Sequence, residues 1–306
     1  QALTGSDWGV AMMLHTPQGP LQFGTGQLPG KEDKRIIRID GETISGQGRL
    51  NQLFSVLWQT PQMDTLFTGS MSERRRLLDR LTTSFLPDHS SQLARYDYVM
   101  RERNRLLAMQ AGPGNESWLT SLEQKMAESA LAIAAARIEA LTTLQAAMEA
   151  LNPAFPRADM SLEGYAETAL QQAEFSALEI EDRLAAALQQ NRSGDAQTGR
   201  TQLGAHRTQW HLTHRPKQME VAYCSTGEQK ILLLGLLLAQ TLALHRQKAR
   251  LPILLLDEVV AHLDEERRQA LFAVLEELGV QAWLTGTDAT LFDGIRTNPL
   301  WLQTPL

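Results

Sequence analysis

Two apolar segments close together set the tightest limit on how this chain can fold. Residues 231–239 read ILLLGLLLA, apolar all the way round, and a little later PILLLDE places four apolar residues, Ile253 to Leu256, directly before Asp257 and Glu258. A helix without a polar face has to be buried. A strand that is apolar at every position has to be covered on both faces, as in a parallel sheet. The spacing predicts a helix from Gly227 to about Gln247, the strand, a second helix over Glu265 to Leu278 and a short strand in VQAWLTG. Helix alternating with apolar strand gives an α/β architecture with a parallel sheet covered on both sides. The run 231–239 is itself too short to span a bilayer.

The 306 residues are 43% apolar and 21% charged, enough for one large domain or two smaller ones. A formal charge of −6 gives no global basic field, so a nucleic-acid partner has to be met by a local patch. The single cysteine, Cys224, excludes a disulfide framework and fits a reducing cytosol, and no basic stretch followed by an apolar one opens the sequence. A cytoplasmic location is expected.

Three parts are expected. Residues 1–65 are rich in glycine, threonine and alternating stretches such as WGVAMML and RIIRID, which predict antiparallel strands and hairpins. Residues 66–190 have helical texture. Leu119, Leu122, Met126, Ile133, Ile138, Leu141, Leu144, Met148 and Leu151 form an apolar stripe on a long helix ended by Pro153 and Pro156. A second amphipathic helix is expected from Tyr165 to Gln190; the two could form an antiparallel arm or the core of a helical lobe. Residues 191–306 return to mixed structure, with strands in TQWHLTH and QMEVAY.

Two motifs carry chemistry. Asp257 and Glu258 end a buried strand, where α/β proteins place ligands. Upstream, YCSTGEQK sets Ser225 to cap the following helix, and Gly227 lets an anion approach backbone N–H groups closely. With Asp264 in AHLD, the order resembles the signature, Walker B and D-loop of ABC/SMC-type ATPase heads. PQMD at 61–64, RRRLLDRL at 74–81, GRTQLGAHR at 199–207 and STGEQKILLLGLLLAQ at 225–240 resemble the RecF family within that class. The resemblance runs from about Leu50 onward.

The resemblance implies an ABC-type head of the P-loop NTPase fold with a β-rich N-terminal piece and an inserted helical lobe. It further implies a DNA-binding ATPase of recombinational repair that binds duplex DNA near single-strand gaps and helps load recombinase, working with RecR and RecO. In such heads Asp257 would hold Mg²⁺ and Glu258 would position the attacking water. Ser225, Gly227, Gln229 and Asp264 would meet ATP held by a second subunit, giving ATP-dependent head-to-head homodimers. Gln62 would be the Q-loop-like position, with a plain turn residue as the alternative. Arg74, Arg75, Arg76 and Arg80 would contact DNA phosphates, with Arg101, Arg103 and Arg105 a second set, although charge runs on helices are commonly solvated faces.

The family's Walker A loop is not matched. In GTGQLPGKED, Gly30 and Lys31 are present, but Thr25 stands where the first glycine belongs and Glu32 where Ser or Thr would ligate Mg²⁺. The ATP-cradling segment is expected to precede Gln1, and without a P-loop lysine the chain should not hydrolyse ATP unaided. Gly286 occupies the place of a switch histidine, and Ala205 replaces the family's proline. His206, His211 and His214 fit no zinc spacing. The alternative reading is a non-hydrolysing, SMC-like scaffolding module.

Overall fold

Strands β5 (Val56–Gln59), β9 (Ile253–Leu256) and β10 (Ala282–Leu284) pair in parallel in the order β10-β9-β5. They belong to a computed structural model that describes residues 8–16, 19–27, 35–44, 55–109, 115–247, 251–297 and 299–302. The chain divides into two compact units, Gln1–Leu53 and Phe54–Leu306.

In the first unit, β1 (Gly9–Thr16), β2 (Gly19–Gln27), β3 (Arg35–Ile39) and β4 (Glu42–Ile44) form an antiparallel meander. The β3–β4 hairpin turns on Asp40-Gly41, whose φ angles of 48° and 84° suit a two-residue loop matched to strand twist. Among its described residues, Phe23, Ile39 and Ile44 are buried. Gly30, Lys31 and Glu32 lie outside the described residues.

The second unit carries eight helices among its described residues: α1 (Met71–Phe85), α2 (His89–Ala108), α3 (Glu116–Glu149), α4 (Tyr165–Gln172), α5 (Ala177–Gln190), α6 (Arg192–Thr198), α7 (Thr226–Arg246) and α8 (Glu265–Leu278). An antiparallel sheet, β6 (Ala158–Glu163), β7 (Gln209–His214) and β8 (Met219–Glu220), sits among them. Three helices open on the same signal, Ser-x-x-Glu: Ser70/Glu73, Ser176/Glu179 and Ser225/Glu228 each form a reciprocal capping box. The Ser176 box breaks the single helix expected over 165–190 into α4 and α5, with Ala173 left-handed (φ 54°) at the end of α4. Long α3 packs against α2, α5 and α7 and serves as the lobe's core.

One large core joins α7, the underside of the parallel sheet, α1 and the C-terminal half of α3, with Trp210, Phe155, Leu232, Leu236 and Leu254 fully enclosed. Burying side chains of this size stabilises by roughly 1.5–3 kcal/mol each. At 21 residues, α7 is longer than its apolar run suggested, long and apolar enough to cross a membrane by length and composition, as is α3. Most of α7 is buried within the fold, which makes it a core helix.

One expectation fails. The parallel sheet is covered on one face only among the described residues. Leu57, Leu254 and Leu256 point into the core, whereas Trp58, Leu255 and Trp283 lie in one register across the three strands and are 38%, 40% and 49% exposed.

Candidate functional site

The carboxyl ends of β5 and β9 meet side by side, with Gln59 paired to Leu256, and the Asp257 N–H donates to the Gln59 carbonyl at 3.0 Å. Asp257 thus lines a crevice at the carboxyl end of the central strand, with Glu258 exposed beside it. A threonine just beyond β10 holds them. Thr285 Oγ1 donates to Asp257 Oδ1 at 2.7 Å and accepts from the Glu258 N–H at 2.9 Å. Glu258 is exposed and left-handed, with φ 55°. For a non-glycine residue that conformation costs on the order of 1 kcal/mol or more, and strain of this kind gathers at functional sites.

Gln59 is 3% exposed and faces the same crevice. Its Nε2 donates to the Lys230 carbonyl at 3.3 Å, while its Oε1 is buried without a partner. Lys230 in turn places Nζ 2.8 Å from Asp64 Oδ2, on the 3₁₀ turn Pro61–Thr65. The space enclosed between these groups and Asp257 is ≈ 10 Å³, room for about one water.

At the start of α7, Ser225, Thr226 and Gly227 are exposed. Ser225 Oγ accepts from the Glu228 N–H and donates to Glu228 Oε2 at 2.8 Å. A Cβ on Gly227 would meet nothing within 4 Å, so an anion could reach the backbone there. Lys217 bonds Glu228 at 2.6 Å, and with Ser225 it holds that carboxyl down at about 2. Gln229 does not join this exposed corner. It is buried, and its Nε2 donates back to the carbonyls of Cys224 (2.9 Å) and Ala222 (3.3 Å), bracing the turn from within. Cys224 is buried beside it, and burial raises its thiol pKa. Asp264 caps α8 through the Arg267 N–H (2.9 Å) and pairs with the Arg267 guanidinium.

Gln62 is placed elsewhere. It is exposed and lines an open 360 Å³ pocket with Trp58, Arg76 and Arg80, apart from the residues that line the Asp257 crevice. The four arginines of α1 do not make one surface. Arg74 pairs with Glu220 at 3.3 Å and Arg75 donates to the Thr208 carbonyl at 3.0 Å. Arg76 is exposed, and Arg80 stacks 4.0 Å above the Trp58 ring, where burial brings its guanidinium down to about 10. Of the second set, Arg101 and Arg105 are exposed, but Arg103 is not. It is fully buried and bonds Glu123 (3.1 Å), Asp195 (2.7 Å), Thr201 (2.9 Å) and the Leu188 carbonyl (2.6 Å), so it cannot touch DNA from there. The histidines are scattered: His206 accepts from Tyr96 at 2.8 Å, His211 meets Glu163 at 3.1 Å, and His214 is buried on the opposite face of β7.

Sequence reasoning missed Gln59, Lys230 and Thr285. Gln59 carried a usable signal, being the polar residue that ends a short apolar strand just as Asp257 ends PILLL. Thr285 and Lys230 carried none, because their partners are 28 and 166 residues away.

No family model matches the chain. It is 43% identical over 299 residues to the DNA replication and repair protein RecF of Mesorhizobium japonicum, covering 96% of this chain and 78% of that protein. It is 45% identical over 280 residues to the protein of the same name from Brucella suis, covering 90% and 71%. Among solved structures, that of the recombination mediator protein RecF with ATP in the RecFOR pathway superposes with a TM-score of 0.80 at 20% identity, covering 94% of this chain and 76% of that one. The fold is that of an α/β ABC-type ATPase head, and at this identity and coverage the chain belongs to the RecF family.

Proposed function

We infer that this chain forms most of an ATPase head that acts in recombinational DNA repair and replication restart. The observation that carries the reading is the pair Asp257 and Glu258, joined by Thr285 at the carboxyl end of the central parallel strand, with the exposed Ser225 corner opening the helix that precedes that strand. The Ser225 corner faces solvent and is not among the residues that line the Asp257 crevice of its own chain. It can close over a triphosphate held by a second copy, which gives ATP-dependent head-to-head dimers.

The residues present fit Mg²⁺. The Asp257 carboxylate and the unpartnered Gln59 Oε1 are hard oxygen donors on two residues that line one crevice, and they would hold the ion together with substrate oxygens. Bound there, the ion supplies charge neutralisation for the phosphates. Glu258 orients the attacking water and takes its proton. Thr285 fixes both acids, Gln229 braces the corner without touching substrate, and Ser225, Gly227 and Asp264 face the partner's ATP. The partly exposed stripe Trp58-Leu255-Trp283, on which Arg80 covers part of Trp58, supports a further layer on that side of the sheet, such as a P-loop segment. DNA, duplex near single-strand gaps, is met by the helical lobe through Arg76, with Arg74, Arg75 and Arg80 held against the protein behind it. RecR and RecO act with the head in loading recombinase, in the cytoplasm.

The test uses full-length protein carrying Glu258→Gln. ATP should still produce dimers, seen by sedimentation, while turnover is lost. Unchanged turnover would remove Glu258 from the mechanism. Dimers with no turnover even in the wild type would favour the non-hydrolysing scaffold.

A further inference from the structure

Lys230 closes the STGEQK stretch but has no role in the phosphate-facing corner that opens it. It lies on the first turns of α7, five residues past Ser225, yet both its ends are engaged by the crevice. Its carbonyl accepts from the buried Gln59 amide at 3.3 Å, and its ammonium meets Asp64 at 2.8 Å, with the two side chains only 17% and 24% exposed. Gln59 ends β5 and Asp64 sits on the turn that follows, so one short segment grips one helical residue twice, through backbone and through side chain. The same segment supplies Gln59 Oε1, buried without a partner, and Gln59 lines the crevice together with Asp257. A ligand that recruits that oxygen must pull on the amide whose other end holds α7. A helix is stiff over one or two turns, so a shift at Lys230 is carried to the exposed corner at Ser225.

We propose that Lys230 is a positioning residue that couples occupancy of the crevice at Asp257 to the setting of the Ser225 corner, with Asp64 and Gln59 as its two anchors. The inference rests on the reading of that corner as the contact with a second copy. It assigns Lys230 no contact with ATP. Its ammonium is spent on Asp64, and what it transmits is the position of α7. Both partners are more than three-quarters covered, so the pair is shielded from solvent better than a surface ion pair and holds a defined geometry.

The experiment compares full-length wild type with Lys230→Met, Lys230→Arg, Asp64→Asn and the exchanged pair Asp64→Lys with Lys230→Asp. Affinity for a fluorescent ATP analogue is measured at protein concentrations where only monomer exists, and ATP-dependent dimerisation is measured by sedimentation. Lys230→Met and Asp64→Asn should each weaken dimerisation by roughly 5- to 150-fold, the usual span of coupling between two sites, while monomer nucleotide affinity stays within about twofold. Lys230→Arg should restore most of the loss, and the exchanged pair part of it. Dimerisation unchanged in both single variants would overturn the proposal, as would nucleotide affinity falling in step with it or failure of Lys230→Arg to restore coupling. If the wild type itself stays monomeric with ATP, the dimer reading fails instead, and the two failures are told apart by that control.

Discussion

Replacing Arg103 by Met separates two roles that the residue's charge leaves open in the sequence. A phosphate contact on α2 would leave stability unchanged on removal and weaken DNA binding. The structure instead buries the guanidinium completely, with bonds to Glu123, Asp195, Thr201 and the Leu188 carbonyl. After the substitution the two carboxylates fare differently. Glu123 keeps Arg192, which bonds it at 2.9 and 2.5 Å, whereas Asp195 loses its cation and retains only the Gln202 N–H at 3.0 Å. One stranded carboxylate, 1% exposed, belongs to the class of broken buried pairs that cost about 3–5 kcal/mol. For a unit of this size the melting temperature should fall by roughly 10 °C. Urea unfolding followed by circular dichroism should show a lower midpoint with an unchanged slope. Adding Asp195→Asn should recover part of the loss, because the stranded charge is removed. A loss below about 1 kcal/mol, or weaker DNA binding at unaltered stability, would refute the argument.

Three further outcomes are expected. Thr285→Val leaves Asp257 without its hydroxyl donor and the Glu258 N–H without its acceptor, so turnover of the full-length protein should fall about 10- to 100-fold, with Thr285→Ser near wild type in steady-state phosphate release. Burial holds the His206 pKa below its ordinary value, so the folded state stays neutral there while the unfolded chain takes up a proton. Stability should therefore decline as pH falls below about 6.5, and His206→Asn should flatten that part of a stability–pH curve. Arg76 is the exposed member of the α1 set, so Arg76→Glu should weaken DNA binding in an equilibrium titration and reduce the salt slope by about 1, or somewhat more for the reversed charge, whereas a null effect would remove it from the interface.

Much of the fold was readable because it rests on local rules. The strand ending in Asp257, the apolar α7 and the stripe along α3 follow from periodicity, and Ser225 as a cap follows from its box with Glu228. The Ser176-x-x-Glu179 box is present in the sequence too, and it is the local signal that splits 165–190 into two helices. What could not be read depends on long-range partners. Nothing in RERNR distinguishes Arg103 from Arg101; only the arrival of Asp195 and Thr201 from 92 and 98 residues away makes one of them a buried hub. The fates of Gln229 and Gln59 were likewise set by which carbonyls came within reach, Cys224 and Ala222 for one and Lys230 for the other. The open face at Trp58, Leu255 and Trp283 was hidden because an apolar strand reads the same whether one or both of its faces are covered.

The central claim is that Ser225 of one copy completes a site built on Glu258 of another. Mixing full-length Ser225→Arg protein with full-length Glu258→Gln protein tests it directly. Each alone should be inactive, the first lacking a usable corner and the second lacking the water-positioning acid. In the mixed dimer one site unites an intact Glu258 with an intact Ser225, so ATP turnover should reappear on mixing. A mixture as inactive as its components, or full activity in Ser225→Arg alone, would contradict the account.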